Sequence, residues 1–162
     1  MENITVRRFE DGDETAVSEL IRDTLMVSNS ADYPEAYLRE IIASHSAQAV
    51  AKQAREGHMY VVCADSTIIG CGGITGYWGS TTQSYLLSIF VHPKYQKRGI
   101  GKRIVQTLES DEYFLRAWRT ELGSSITAVD FYRHLGYEYK NGSTEPDESG
   151  VIRLEKRREG RI

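Results

Sequence analysis

The sequence predicts an α/β domain, a mixed and mostly antiparallel sheet flanked by helices, and three observations carry that expectation. Segments with apolar residues at every second position are interleaved with segments that repeat them every three or four, the periods of strand and helix. The 162 residues are enough for one self-supporting core, which at this length buries roughly 70% of the unfolded surface. No linker, internal repeat or low-complexity tract divides the chain, so residues 1–162 read as one domain.

The elements follow in order. Ile4-Thr5-Val6-Arg7-Arg8-Phe9 alternates and ends at Asp11-Gly12-Asp13, a strand followed by a turn and a helix N-cap. From Asp13 on, Val17, Leu20, Ile21 and Leu25 share one helical face until Ser28-Asn29-Ser30-Ala31-Asp32 breaks it. A second helix starts near Pro34, since proline suits a first turn, and carries Leu38, Ile41 and Ile42. Ala47 to Arg55 reads equally as its continuation and as a third short helix. After Gly57, the runs His58 to Ala64 and Ile68 to Tyr77 flank the polar Asp65-Ser66-Thr67 as a hairpin. Gly70, Gly72, Gly73 and Gly76 crowd its second strand, a sign that something packs close to that backbone. Ser84 to Val91 is the next strand, stopped by His92-Pro93. A glycine-punctuated turn leads to a helix with Ile100, Ile104, Val105 and Leu108 on one side. A strand over Ala117 to Leu122, a helix from Ser125 to His134 closed by Gly136, and strands at Tyr137 to Lys140 and Val151 to Glu155 complete the order. Residues 156–162, beginning Lys156-Arg157-Arg158, are expected to be a solvated tail.

Charge and composition exclude several classes. With 20 Lys+Arg against 23 Asp+Glu, the net charge of -3 argues against nucleic acid or an anionic membrane as partner, both of which demand a cationic surplus. A hydrophobic share of 40% and a charged share of 27% are those of a globular chain. No apolar run approaches the roughly 20 residues of a membrane helix, and Met1-Glu2-Asn3 does not open a charged-then-apolar leader, so a cytoplasmic protein is expected. Cys63 and Cys71 lack the spacing of a metal motif and have no histidine cluster beside them; buried free thiols and no metal are expected.

The chemistry concentrates in one stretch. Between Ser66 and Leu108, 43 consecutive residues contain no Asp or Glu, and Lys94, Lys97, Arg98, Lys102 and Arg103 gather there around Gly99-Ile100-Gly101. A helix N-terminus offers unpaired N–H groups and a partial positive charge, and glycine lets the backbone approach a ligand, so this loop suits a phosphate; it also reads as a solvated turn. A third glycine of the dinucleotide fingerprint is missing, and no G-x-x-x-x-G-K-[ST] stretch exists.

Gln96-Lys97-Arg98-Gly99-Ile100-Gly101 is a Q/R-x-x-G-x-G/A segment, and Ala128-Val129-Asp130-Phe131-Tyr132-Arg133-His134-Leu135-Gly136-Tyr137 is an A-x-x-F-Y-x-x-x-G-F/Y segment. On these two motifs the chain resembles the GNAT superfamily of acyl-CoA-dependent N-acetyltransferases, most closely from Leu86 to Tyr139. The resemblance implies a GNAT-like fold and acetyl-CoA as co-substrate. It implies that Ile89, Phe90 and Val91 offer backbone groups to the pantetheine arm as to an added strand, one N–H polarising the thioester carbonyl. It also implies that Gln96, Lys97, Arg98, Gly99, Ile100, Gly101 and Lys102 surround the pyrophosphate. Ser125 stands where relatives often carry an asparagine toward CoA, and Tyr132 where they carry the tyrosine that protonates the departing thiolate.

No base is assigned. Ser84, Tyr85 and Ser88 on the strand, Glu121 on the next, and His92 after it are the residues in reach, and a covalent route through Cys63 or Cys71 has no neighbouring His or Lys to support it. Direct transfer in a ternary complex is therefore expected. The acceptor is expected to be a primary amine, a small molecule ahead of a protein N-terminus or lysine; the resemblance implies that the Ser28 to Tyr33 loop borders it, where Asp32 and Tyr33 suit an ammonium group, and the loop reads equally as a turn linking two helices. A homodimer is a further expectation. The rival readings are a non-catalytic acyl-CoA-binding module and a phosphate-anchored RNA-binding protein, the latter short of spread basic and aromatic residues.

Overall fold

The computed structural model describes residues 2–31 and 33–158. Along the chain come β1 (Ile4–Arg8), α1 (Glu14–Ser28), α2 (Glu35–Ala43), α3 (Ala47–Glu56), β2 (His58–Ala64), β3 (Thr67–Gly76), β4 (Gln83–Val91), α4 (Ile100–Leu108), α5 (Glu112–Leu115), β5 (Arg119–Ser124), α6 (Val129–His134), β6 (Glu138–Tyr139) and β7 (Ile152–Arg157). Short 3-10 turns lie at Pro93–Tyr95, Ile126–Ala128 and Lys140–Gly142. The seven strands form one sheet in the order β1-β2-β3-β4-β5-β7-β6. β4 and β5 run parallel, whereas β1 with β2, β5 with β7 and β6 with β7 are antiparallel. This is the mixed, mostly antiparallel α/β fold expected.

The chain forms two compact units, the first from the residues up to Gly73 with Ser88–Glu109, the second from Ile74–Leu87 and the residues from Ser110 on. In the first unit, Val17, Leu20, Ile21 and Leu25 of α1 join Leu38, Val50, Met59, Val61, Cys63 and Cys71 in one buried cluster. The opposite face of the same strands receives α4, whose Ile100, Ile104, Val105 and Leu108 are all buried. Gly72 is what lets α4 come so near: a Cβ there would stand 2.5 Å from Ile104 Cγ2 and 3.3 Å from Leu108 Cδ1. The glycine-rich strand thus serves a helix seat.

α3 is a separate helix, because Ser46 caps it by accepting the N–H of Ala49 at 3.2 Å. Asp13 does stand before α1, yet its carboxylate takes the N–H of Glu10 at 2.8 Å and the guanidinium of Arg7 at 2.8 Å rather than the helix. Burial would raise the Asp13 carboxyl, but the Arg7 hydrogen bond outweighs it and holds the group below the usual aspartate range.

The second unit adds one unexpected helix and corrects two expectations. α5 arises from Asp111, which caps it through the N–H of Tyr113 at 2.9 Å; four residues are too few to show a period. The helix expected from Ser125 begins only at Val129, since Ser125 is extended and a 3-10 turn intervenes. Lys156-Arg157-Arg158 is no free tail: Lys156 and Arg157 pair with Thr120 and Arg119 in the ladder, and Arg158 N–H donates to Trp118 O at 2.8 Å. The alternation of Ile152 and Leu154 carries β7 past Glu155 because β5 offers it a partner that far. Residues 159–162 of the expected tail lie outside the described residues.

Candidate active site

The second half of β4 is where the backbone departs from regularity. Tyr77 N–H donates to Gln83 O at 3.0 Å, and His92 N–H donates to Ile69 O at 2.8 Å. From Tyr77 back to Ile69 the chain takes eight steps, from Gln83 on to His92 nine, so β4 carries one extra residue, a β-bulge. Ser88 is that residue, with φ 54 in the left-handed region. Its hydroxyl donates to Gln53 Oε1 of α3 at 2.7 Å, and its carbonyl accepts the Cys71 thiol at 3.2 Å.

The bulge decides which groups face which edge. Backbone N–H and C=O alternate in direction along a strand, so if His92 faces β3 then Phe90 does too, while Ile89 and Val91 face away. A Cβ at Gly70 would stand 3.4 Å from Phe90 O, which confirms the direction. On the other side of β4, the ladder with β5 runs from Gln83↔Arg119 to Leu86↔Leu122. The expectation for Phe90 is corrected: its backbone is engaged with β3, and its ring packs on the α1 to α3 cluster and edge-on to His45 at 5.7 Å. Ile89 and Val91 turn their backbone groups away from β3.

Past β4 the loop turns into α4. His92 Nδ1 accepts the N–H of Lys94 at 3.1 Å, which employs this imidazole as the cap of the 3-10 turn Pro93–Tyr95. The Gln96 amide donates to Val91 O at 3.0 Å and Ser28 Oγ at 2.9 Å, so this side chain ties β4 to α1 and only its main chain is left for a ligand. Lys97 has φ 63 and Gly99 φ 79, with Arg98 between them at negative φ; such alternation turns successive N–H groups to one side, a nest for an anion. The first helical bond of α4 runs from Arg103 N–H to Gly99 O, which leaves the N–H groups of Ile100, Gly101 and Lys102 ahead of the ladder. The Ile100 side chain is in the core, whereas Lys97, Arg98 and Lys102 are exposed. Arg98 and Arg103 with Ile4, Tyr95, Gly99 and Ile100 line an open cavity of about 240 Å³ whose two guanidinium groups suit anionic ligands. The loop therefore has the donors a pyrophosphate requires: main-chain N–H groups, a helix N-terminus and flexible cations.

In the second unit, Tyr132 lies buried in α6, 8% of the residue exposed, its ring edge-on to Phe131 at 5.0 Å and Tyr137 at 6.3 Å. Its main chain ends the helix, the carbonyl accepting the N–H groups of Leu135 and Tyr137 at 3.0 and 3.1 Å. Burial alone pushes the phenol far above its ordinary value, so it stays protonated. Ser125 caps the turn Ile126–Ala128 by position but makes no side-chain cap bond.

Each residue weighed as a base has a partner. Ser84 Oγ shares a hydrogen bond with Thr120 Oγ1 at 2.8 Å in a fully buried site. Glu121, 1% exposed, is bonded to Arg119 and ion-paired to Lys140 at 2.9 Å and Arg153 at 3.4 Å. Tyr85 OH accepts from Arg153 at 3.2 Å, and burial raises its phenol. This ionic group extends through Arg119 to Glu155 and through Arg153 to Asp147. The sequence offered no sign of it beyond alternating charges on β5 and β7. Cys63 and Cys71 are free and buried, and burial raises the Cys71 thiol to about 12, which keeps it unreactive near neutrality. Tyr33 is half-buried against the α1 to α3 cluster with its ring 4.9 Å from Tyr37, and Asp32 lies outside the described residues. Among the described residues no group of three or more His, Cys, Asp or Glu is placed to hold a metal, and no helix is long and apolar enough to cross a membrane.

The loop suits an anionic ligand, and comparison with known proteins shows the family. A family model described as "Acetyltransferase (GNAT) domain" matches residues 55–139, just over half of the chain. Among solved structures, the PaiA N-acetyltransferase of Thermoplasma acidophilum in complex with coenzyme A is 19% identical at TM-score 0.82, covering 96% of this chain and 99% of that one. A GCN5-related N-acetyltransferase of Rhodopseudomonas palustris is 17% identical at 0.79, covering 97% of each. The N-acetylglutamate synthase of Neisseria gonorrhoeae, complexed with coenzyme A and L-arginine, is 15% identical at 0.65 and shares 98% of this chain with 34% of its own. Comparison with curated sequences finds no match. The chain belongs to the GNAT acetyltransferase family: it is an acetyl-CoA-dependent N-acetyltransferase.

Proposed function

We propose that this acetyltransferase moves an acetyl group from acetyl-CoA to a primary amine by direct attack, a small-molecule amine ahead of a protein N-terminus or lysine. The observation that carries the reading is the phase of β4, which turns the backbone of Ile89 and Val91 away from β3 just before the left-handed loop 97–102. Ile89 and Val91 hold the pantetheine amides as a neighbouring strand would, one N–H polarising the thioester carbonyl. Main-chain N–H groups from Lys97 to Lys102 receive the pyrophosphate, with Lys97, Arg98 and Lys102 supplying countercharge. The amine nitrogen forms its bond to the carbonyl carbon, the C–S bond breaks, the nitrogen gives its proton to water, and the thiolate takes one from Tyr132, which solvent then reprotonates.

The protonated state that burial enforces on Tyr132 supports the acid role. The raised Cys71 thiol supports direct transfer over an acyl-cysteine. Tyr33 is assigned to the acceptor side, where a ring face suits an ammonium group. Two free thiols suit a reducing cytosol. The test is native mass spectrometry of the purified protein for retained CoA species, then thiol release with acetyl-CoA across amino acids, polyamines, aminoglycosides and lysine peptides. Turnover with small amines is expected. Turnover confined to peptides overturns the acceptor class, and CoA bound without turnover of any amine overturns catalysis in favour of a binding module.

A further inference from the structure

We propose that Gln53 is a positioning residue of the acetyl transfer: by holding the Ser88 hydroxyl it sets the phase of the β4 edge that receives the acyl thioester. The inference rests on the assignment of Ile89 and Val91 to acetyl-CoA made above. Ser88 is one of four non-glycine residues with positive φ among those described, a strained conformation that persists only where neighbours impose it. Two contacts impose it. The 2.7 Å bond from Ser88 Oγ to Gln53 Oε1 holds the side chain, and the Cys71 thiol holds the carbonyl at 3.2 Å. Gln53 is itself well fixed, on a helix anchored through buried Val50 and half-buried Ala54, one turn before the C-cap bond from Gly57 N–H to Gln53 O at 3.1 Å.

The consequence of losing the bulge is geometric. Were Ser88 to regain ordinary extended backbone, the register set by Tyr77 and Gln83 would continue unshifted, pairing Ile89 rather than Phe90 with Cys71. Ile89 would then spend its N–H on β3, and Phe90 would present its own to the ligand one residue out of phase. The bulge thus selects the donor, and Gln53 stabilises the bulge from a different element, 35 residues earlier in the chain.

The experiment reads the thioester itself. Carbonyl-13C acetyl-CoA bound to the protein is measured by isotope-edited infrared spectroscopy, alongside calorimetric affinities for acetyl-CoA and CoA. Wild type is expected to shift the thioester stretch to lower frequency than in buffer. Gln53→Ala should lose most of that shift and about tenfold of its affinity for acetyl-CoA, the scale of one hydrogen bond, while CoA, which shares the pantetheine arm but has no acyl carbonyl, should lose less. Gln53→Glu, which keeps an acceptor for the hydroxyl, should retain the shift. Ser88→Gly, which adopts positive φ without help, should retain it too and make Gln53→Ala silent. A full carbonyl shift in Gln53→Ala, or an equal loss whether residue 88 is serine or glycine, overturns the proposal. Absence of any shift in wild type despite bound acetyl-CoA instead overturns the assignment of the β4 edge; should Gln53→Ala not fold, loss of the shift in Gln53→Glu overturns the positioning role.

Discussion

Gly99 and Gly79 offer a matched pair for testing the anion nest. Gly99 has φ +79 and Gly79 φ +78, and a Cβ at either would meet nothing within 4 Å. Valine at either position therefore brings strain without a clash, about 1–3 kcal/mol for a non-glycine residue held at positive φ. Spread over a chain of this length, that lowers the melting temperature of each apo variant by roughly 2–12 °C. The difference appears on adding acetyl-CoA. At about 100 times its Kd the wild type should gain about 2.7 kcal/mol, a rise of roughly 5–11 °C. Gly79→Val should show the same rise from its lower baseline. Gly99→Val should show none, because relaxing residue 99 re-aims the N–H groups of Ile100, Gly101 and Lys102 that open α4. Differential scanning fluorimetry across a titration of acetyl-CoA suffices, with NAD and ATP as controls expected to do far less. Equal rises in both variants would refute the nest, and equal losses would refute its specificity.

Tyr132→Phe should lower kcat by about 10²–10⁴ with acetyl-CoA affinity unchanged, and because burial raises the phenol, wild-type kcat should not fall as pH passes the ordinary tyrosine value of 10.0. A wild-type kcat in the phenylalanine variant, where chemistry limits the rate, would assign thiolate protonation to water. Gly72→Ala drives a methyl to 2.5 Å from Ile104 Cγ2 and should cost about 1–3 kcal/mol, read by chemical denaturation; Ile104→Leu, which lacks that methyl, should recover part of it, and strict additivity would contradict the contact. Asp147 would be raised by burial, but bonds from Ser149, Arg153 and the Val151 N–H pull it to about 2 from 3.8. A depressed carboxyl stabilises the fold fully above 3.8 and ceases to do so as pH falls toward 2, so the stability deficit of Asp147→Asn should shrink across that window and a pH-independent deficit would exclude the linkage.

Much of the fold was legible because helix and strand periods are local. Ile100, Ile104, Val105 and Leu108 announce α4 by their spacing, and all four are buried; His58–Ala64 announces β2 to the residue. The loop proposed to receive the pyrophosphate was legible as a glycine-punctuated cationic turn for the same reason, as glycine and cation identity within six residues set its backbone freedom and charge. The family resemblance, carried by that loop and by Ala128 to Tyr137, is confirmed by the match over residues 55–139. What sequence could not decide is pairing between distant segments. The extension of β7 to Arg157 depends on Arg119 lying opposite, the burial of Glu121 on cations from residues 119, 140 and 153, and the Gln96 amide on Val91 and Ser28. The one-residue bulge is the sharpest case: Leu86-Leu87-Ser88-Ile89-Phe90-Val91 contains neither glycine nor proline to mark it. Only the mismatch between the two ends of the β3–β4 ladder, together with the Gln53 side chain 35 residues away, turns Ile89 outward and Phe90 inward, because strand phase is a property of a pair and not of either strand alone.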